Sequence, residues 1–188
     1  MSTRLIILVS GAPAAGKTTL AIGLAAALRL PLICKDDIKE TLVDTLGGPA
    51  GDLTWSRRIG GAAMEVLWRL AERCPAAVIE ANFRPHNEYE HSRLLQLQAR
   101  IIEIHCVCPT DELARRFAAR APTAHAAHPL TELSTELVAE YDQPIGLGEV
   151  INIDTTRPVD LTQLTTRLAS MIQPAGHGED TAVKTHQH

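Results

Sequence analysis

The chain has 188 residues, 45% of them hydrophobic and 21% charged, with 18 Lys+Arg against 22 Asp+Glu and a formal charge of -4. A chain of this length is one domain by default and can bury roughly 70% of the surface its unfolded form exposes, so it needs no staples. Cysteines without a C-x-x-C pair argue against a disulfide framework, the apolar run near the N-terminus is too short for a signal peptide or membrane span, and an acidic chain with 3% aromatics disfavours nucleic acid; a cytoplasmic enzyme or switch remains.

Residues 4–9 (RLIILV) form a continuous apolar run, as expected for a strand covered on both faces. The Ala/Leu-rich stretch 16–29 favours helix despite Gly23. Residues 31–34 read as a short strand, with an acidic helix start at Asp36 and Asp37 behind it. From Asp52 to about Glu72 the spacing predicts a helix with Ile59, Ala63, Val66, Leu67 and Leu70 on one stripe. Residues 76–81 (AAVIEA) are the next buried strand, followed by a helix over about 86–99 and a strand over 101–107 (IIEIHCV). Thr110, Asp111 and Glu112 supply a hydroxyl cap and an acidic first turn to a helix reaching Arg120. Residues 121–130 read as an exposed loop, 131–141 as a helix and 149–153 as a strand. A last helix is opened by Asp160 with Gln163 three residues on. The tail 174–188 has no apolar period and reads as disordered.

Strands alternating with helices make parallel βαβ units. The fold expected is a three-layer α/β domain over residues 1–173 with a five-stranded parallel sheet.

Gly11-Ala12-Pro13-Ala14-Ala15-Gly16-Lys17-Thr18 matches G-x-x-x-x-G-K-[ST] between a buried strand and a helix, the context a phosphate-binding loop requires. The glycines permit backbone angles that turn successive N–H groups toward phosphate oxygens, and the positive end of the helix, entered through Thr19, adds to that field. Lys17 is expected to bridge the β- and γ-phosphates of ATP and the Thr18 hydroxyl to ligate Mg²⁺. Ligands of such sheets bind at the carboxyl ends of the strands. Asp36, Asp37 and Lys39 follow the second strand, Glu80, Asn82 and Arg84 end the third, and Arg115, Arg116 and Arg120 ride the helix after the fourth.

In that order the motifs resemble the P-loop kinase family of the AAA type that includes phage polynucleotide kinase, chloramphenicol phosphotransferase and the zeta toxins. The family pattern is a phosphate loop, Arg-Asp-Asp-Tyr-Arg, an apolar strand ending in Asp-x-Asn, and two lid arginines four apart. Here it reads Gly11–Thr18, Lys35-Asp36-Asp37-Ile38-Lys39, Val78-Ile79-Glu80-Ala81-Asn82, then Arg116 and Arg120. The resemblance implies a P-loop NTPase fold, which would order the sheet 2-3-1-4-5, with a small lid over about 115–135. It also implies that Asp36 is the general base, Lys39 a substrate contact, Asn82 a neighbour of the acceptor, and Arg116 and Arg120 lid cations. Asp37 caps the helix or orients the acceptor. Lys39 stands where the family has arginine, and Glu80 where it has aspartate. In similar kinases the loop after the last strand, here Asp154–Pro158, packs on the adenine, where Arg157 could stack.

The function these residues point to is transfer of the γ-phosphate of ATP to a hydroxyl of a small molecule. The alternatives are a polynucleotide 5′-hydroxyl kinase, which usually needs a basic groove with stacking aromatics, and a nucleotide-binding switch without an acceptor. His125 and His128 flank the lid loop without ligand-spaced partners, so metal binding is not expected there. Trp55 and Trp68 suit a hydrophobic helix face or a pocket wall equally. Cys106 and Cys108, two apart on one strand, read as core.

Overall fold

The computed structural model describes residues 4–49 and 51–172; the tail reading for 174–188 lies outside them. The strands are β1 (Arg4–Gly11), β2 (Leu32–Cys34), β3 (Ala76–Glu80), β4 (Ala99–Val107) and β5 (Glu149–Asp154). They form one parallel sheet in the order β2-β3-β1-β4-β5; the alternation of apolar runs and amphipathic stretches accounts for the parallel pairing. Between them lie α1 (Lys17–Leu28), α2 (Lys35–Leu46), α3 (Leu53–Ala71), α4 (Glu88–Gln96), α5 (Thr110–Arg120), α6 (Thr135–Ala139) and α7 (Leu161–Ile172). None of these helices is long and apolar enough to cross a membrane.

The pleat of β1 divides the core into two layers. Ile7 and Val9 pack with Leu20 and Leu24 of α1 and Leu164 and Leu168 of α7. Ile6 and Leu8 pack on the other side with Leu67, Trp68 and Ala71 of α3 and Leu94 of α4. This leaves the carboxyl ends of β1, β2, β3 and β4 side by side at one rim, where the loops that bind ligands begin.

Several local readings are corrected. The buried stripe of α3 is Ile59, Ala63, Leu67, Trp68 and Ala71, while Val66 and Leu70 are exposed; over 19 residues the stripe follows i, i+4, i+8 rather than the i+7 row. Trp68 is core and stacks obliquely on Phe83 at 5.8 Å. The Trp55 indole N–H instead donates to the Gly47 carbonyl at 3.1 Å. α4 stops at Gln96, because Gln98 takes φ +49° and turns the chain into β4 two residues earlier than expected. Thr110 caps nothing: Pro109 occupies the cap position without a side-chain bond. The helix expected over 131–141 contracts to five residues behind a Ser134 cap, whose hydroxyl accepts from Leu137 N–H at 3.2 Å. The Asp160 cap forms as expected, accepting from Gln163 N–H at 2.9 Å.

One buried polar cluster was not legible. Glu103, 0% exposed within β4, accepts from the Ser10 hydroxyl at 2.5 Å and from the backbone N–H groups of Ile145 and Gly146, each at 2.9 Å. His105 Nδ1 lies 3.0 Å from the same hydroxyl. These are the residue types of a hydrolase triad, but the Ser10 proton points at the carboxylate, and burial pushes the imidazole pKa down, against the pull of Glu103. The cluster ties β1 and β4 to the chain that leads into β5. Glu103→Ala strands three donors, of which those of Ser10 and Ile145 are buried, so it should cost about 3 kcal/mol in urea titrations, with Glu103→Gln recovering part of that.

Candidate active site

The phosphate loop bridges β1 and α1. Gly11 takes φ +130°, and a Cβ there would fall 2.6 Å from the Cys106 carbonyl oxygen, so only glycine passes β4 this closely. Gly16 (φ +81°) is the N-cap of α1 without a side-chain cap bond, and Ala14 (φ +64°) is a non-glycine in the left-handed region. This handedness suits a nest of N–H groups for anions around Ala14 and Gly16, to which Pro13 adds no donor. Ala14 costs roughly 1 kcal/mol of backbone strain to hold there.

Lys17 is 6% exposed, and its ammonium donates to the Ala12 carbonyl at 2.8 Å. Burial lowers its pKa, with the charges of Glu80, Cys106 and Asp36 opposing and Arg120 adding to the effect. The Thr18 hydroxyl donates to Glu80 Oε2 at 3.3 Å, and the Cys34 thiol donates to the same oxygen at 2.9 Å. β3 registers Glu80 beside Val9 and Cys34. The carboxylate therefore belongs to the phosphate-loop end of the sheet, against Thr18 and Cys34. Burial and the Glu80 charge push the Cys34 thiol far up.

A cavity of about 620 Å³ opens beside this loop. Pro13, Asp36, Asn82, Arg84 and Arg120 all border it, with Met64 and Leu137 among its apolar walls. Burial opposes ionisation of Asp36. The charge of Lys35 and its hydrogen bond at 2.8 Å outweigh that penalty and hold the carboxyl below its ordinary value. Asp37 is exposed and borders neither cavity. Arg84 is committed to Glu90, its Nε and Nη2 donating to Oε1 at 2.9 and 2.6 Å and its backbone N–H to Oε2 at 2.8 Å.

Lys39 is 6% exposed and donates to the Ser56 hydroxyl at 2.8 Å and the Ala127 carbonyl at 2.6 Å. Ser56 Oγ donates to the same carbonyl at 2.8 Å. Burial, with Lys35 adding to it, pushes the Lys39 pKa down to about 8 against the opposing charges of Asp36 and Glu40. Two more side chains of α2 hold the same loop, since His128 meets Glu40 at 2.8 Å and His125 meets Asp44 at 3.1 Å. The loop read as merely exposed is thus latched onto α2 and α3, and Lys39 is part of the latch as well as of the cavity wall.

The two arginines four apart divide their work. Arg120 borders the large cavity, its guanidinium 5.5 Å from the Phe117 ring centroid. Arg116 borders a second groove of about 430 Å³ together with Gly16, Thr19, Thr155 and Arg157. It donates to Glu112 at 2.7 Å and to the Thr155 carbonyl at 2.9 Å. Arg115 is 68% exposed, pairs with Glu112, and borders neither space. The hydrogen bonds from Arg115 and Arg116 hold Glu112 at about 2. Among the described residues no group of three or more His, Cys, Asp or Glu is arranged to hold a metal ion.

A family model described as an AAA domain matches residues 6–143. The chain belongs to this family. Among solved structures, a candidate kinase from Chloroflexus aurantiacus is 33% identical to this AAA-domain chain, with a TM-score of 0.80 over 92% of this chain and 100% of the other. The adenylylsulfate (APS) kinase of Mycobacterium tuberculosis, solved with AMPPNP and APS, shares the fold at 15% identity and a TM-score of 0.59, covering 90% and 99%. Shikimate kinase from Acinetobacter baumannii, solved with shikimate, does so at 15% and 0.57, covering 91% and 94%. No curated protein matches the chain. The AAA-domain family accounts for the phosphate loop and the sheet order.

Three participants escaped sequence reading: Ser56, Glu90 and the backbone carbonyl of Ala127. None belongs to a contiguous pattern. Ser56 lies 17 residues from the lysine it binds, and Ala127 lies 88 away, so no local signal could have found them. Of the cysteines read as core, Cys106 is buried, its thiol pushed up to about 12 by burial, while Cys108 is half-buried.

Proposed function

We propose that this chain is an ATP-dependent kinase that phosphorylates a hydroxyl group of a small molecule. One observation carries the reading: the phosphate loop, through Pro13, and the carboxylate of Asp36 border the same cavity. A hydroxyl seated there lies between a base and the phosphoryl donor, which is what in-line transfer needs. The order Lys35–Lys39, Glu80 to Asn82, then Arg116 and Arg120 supports kinship with the phage polynucleotide kinase domain, chloramphenicol phosphotransferase and the zeta toxins. Residues of about 115–135 serve as the lid of a single kinase domain spanning 1–173.

In this mechanism the phosphate loop binds the β- and γ-phosphates of ATP, and the groove beside Thr155 and Arg157 receives the nucleoside. Asp36 accepts the acceptor's hydroxyl proton while that oxygen bonds to the γ-phosphorus. The bond from the γ-phosphorus to its bridging oxygen breaks, and ADP leaves with the electron pair. Lys17, Arg116 and Arg120 offset the charge that gathers on the transferred group. Thr18 and Glu80 are oxygen donors meeting at 3.3 Å beside the loop, a donor set that fits Mg²⁺, and these two residues would hold it. When bound, Mg²⁺ neutralises charge on the β- and γ-oxygens.

A screen of hydroxyl-bearing metabolites for ATP-dependent phosphorylation, run with wild type and Lys17→Met, tests the reading. Product formed by the wild type alone supports it. Lys17-dependent ATP hydrolysis that no metabolite accelerates means a nucleotide switch instead. Preference for short oligonucleotides with a steep salt dependence would move the function to polynucleotide 5′-hydroxyl transfer.

A further inference from the structure

We propose that Gly60 and Gly61 of α3 are the bare wall against which the acceptor lies, and that Arg57, one turn earlier, binds a carboxylate or phosphate the acceptor carries. The proposal rests on the kinase reading for the word acceptor, but not for the existence of the site.

Glycine inside a helix is less stable than alanine and needs a reason. Gly23 of α1 has one, because a Cβ there would lie 2.6 Å from Leu161 Cδ1. The pair in α3 has none of that kind. A Cβ on Gly60 would meet only Lys39 Cε, at an ordinary 3.8 Å, and a Cβ on Gly61 would meet nothing within 4 Å. The protein's own packing therefore accepts alanine at both positions, and what the glycines leave open is cavity. Ser56, Arg57, Gly60, Gly61 and Met64 recur at helical spacing and all border that cavity, so the two glycines bare the helix backbone in the middle of the face turned to it.

The charges bordering the cavity show which kind of molecule suits it. Lys35 is paired with Asp36 and Arg84 with Glu90. Lys39, Arg57 and Arg120 remain, against Glu140. Lys39 is held by Ser56 and Ala127, and Arg120 sits on Phe117, where its charge is felt by Lys17 of the phosphate loop. Arg57 has no ion-pair partner among the described residues and stands one turn before the two glycines. A cationic fork at one end of a bare wall, in the cavity that the base also borders, suits a hydroxylated anion.

Thermal shifts measured with AMPPNP present test this without any transfer step. D-glycerate and D-gluconate form the carboxylate arm, glycerol 3-phosphate and glucose 6-phosphate the phosphate arm, and glycerol and glucose are uncharged controls. At least one anionic arm is expected to raise the Tm of the wild type while the controls do not, and the arm that responds names the anion. Arg57→Gln should abolish the shift, and so should Gly61→Leu, with circular dichroism showing it folded. Gly61→Ala should itself raise the Tm of the free protein by about 2–4 °C. It should also weaken the responding anion about tenfold, the effect of one misplaced methyl. The proposal is overturned if no anion shifts the Tm, if the controls shift it equally, if Arg57→Gln keeps the shift, or if Gly61→Ala lowers the Tm of the free protein. Binding of an anion at Arg57 without its phosphorylation upholds the site and counts against the kinase reading alone.

Discussion

Asp36→Asn is expected to lower kcat about a thousandfold while leaving the Kd for ATP within about twofold, the loss typical of removing a general base. The substitution keeps the side chain's shape and its place in the cavity wall but replaces a basic carboxylate with an amide, which cannot take the proton. The pH profile carries an independent signature. Burial alone would raise this carboxyl, and Lys35 reverses that, so the base is charged throughout the neutral range. The acid limb of kcat/KM therefore falls below the ordinary carboxylate value. Lys35→Ala removes the opposing charge and leaves the burial, so the acid limb should move to higher pH. An acid limb that stays in place in Lys35→Ala would contradict the pairing as the cause. Undiminished kcat in Asp36→Asn would remove Asp36 from the mechanism.

Lys17→Met is expected to lower kcat by about two to three orders of magnitude, as for loss of one preorganised charge on a developing anion. Its effect on the free protein should have the opposite sign. The ammonium is buried with a single carbonyl partner, and burial lowers its pKa. The charged form is thus less comfortable in the folded than in the unfolded chain. Methionine keeps the volume and removes the desolvation cost. Calorimetry should find the Tm of the ligand-free variant equal to or above that of wild type, and the rise in Tm that ATP gives the wild type should be lost. A ligand-free variant that melts several degrees lower would mean that Lys17 is structural here.

What the sequence disclosed follows from how each feature is encoded. The phosphate loop is covalently contiguous, so Gly11 through Thr18 could be read from one window together with the strand before it and the helix after it. The buried strands followed from apolar runs such as RLIILV, which suit a strand covered on both faces, while their order came only with the fold that the phosphate loop implies. Glu103 lay hidden inside such a run, because a carboxylate satisfied by a distant hydroxyl and two backbone N–H groups leaves no local trace. The latch of Lys39, Ser56 and Ala127 joins three separate elements and is visible only once they are folded together. Glu80 was legible as a carboxylate at a strand end. Its partner, Thr18, depended on the register of β3 against β1. The glycines of α3 carried no signal in the sequence, and their significance emerges only from what a Cβ would and would not touch.

The fate of a radiolabelled γ-phosphate most directly tests the central claim that Asp36 and the phosphate loop serve one transfer. Labelled ATP, the wild type and the acceptor found by screening are quenched within one turnover, and the label is assigned to acceptor or to inorganic phosphate. The account predicts label on the acceptor's hydroxyl oxygen in the wild type and its loss in Asp36→Asn with ATP still bound. Label that appears only as inorganic phosphate, at a rate Asp36→Asn does not change, would contradict it.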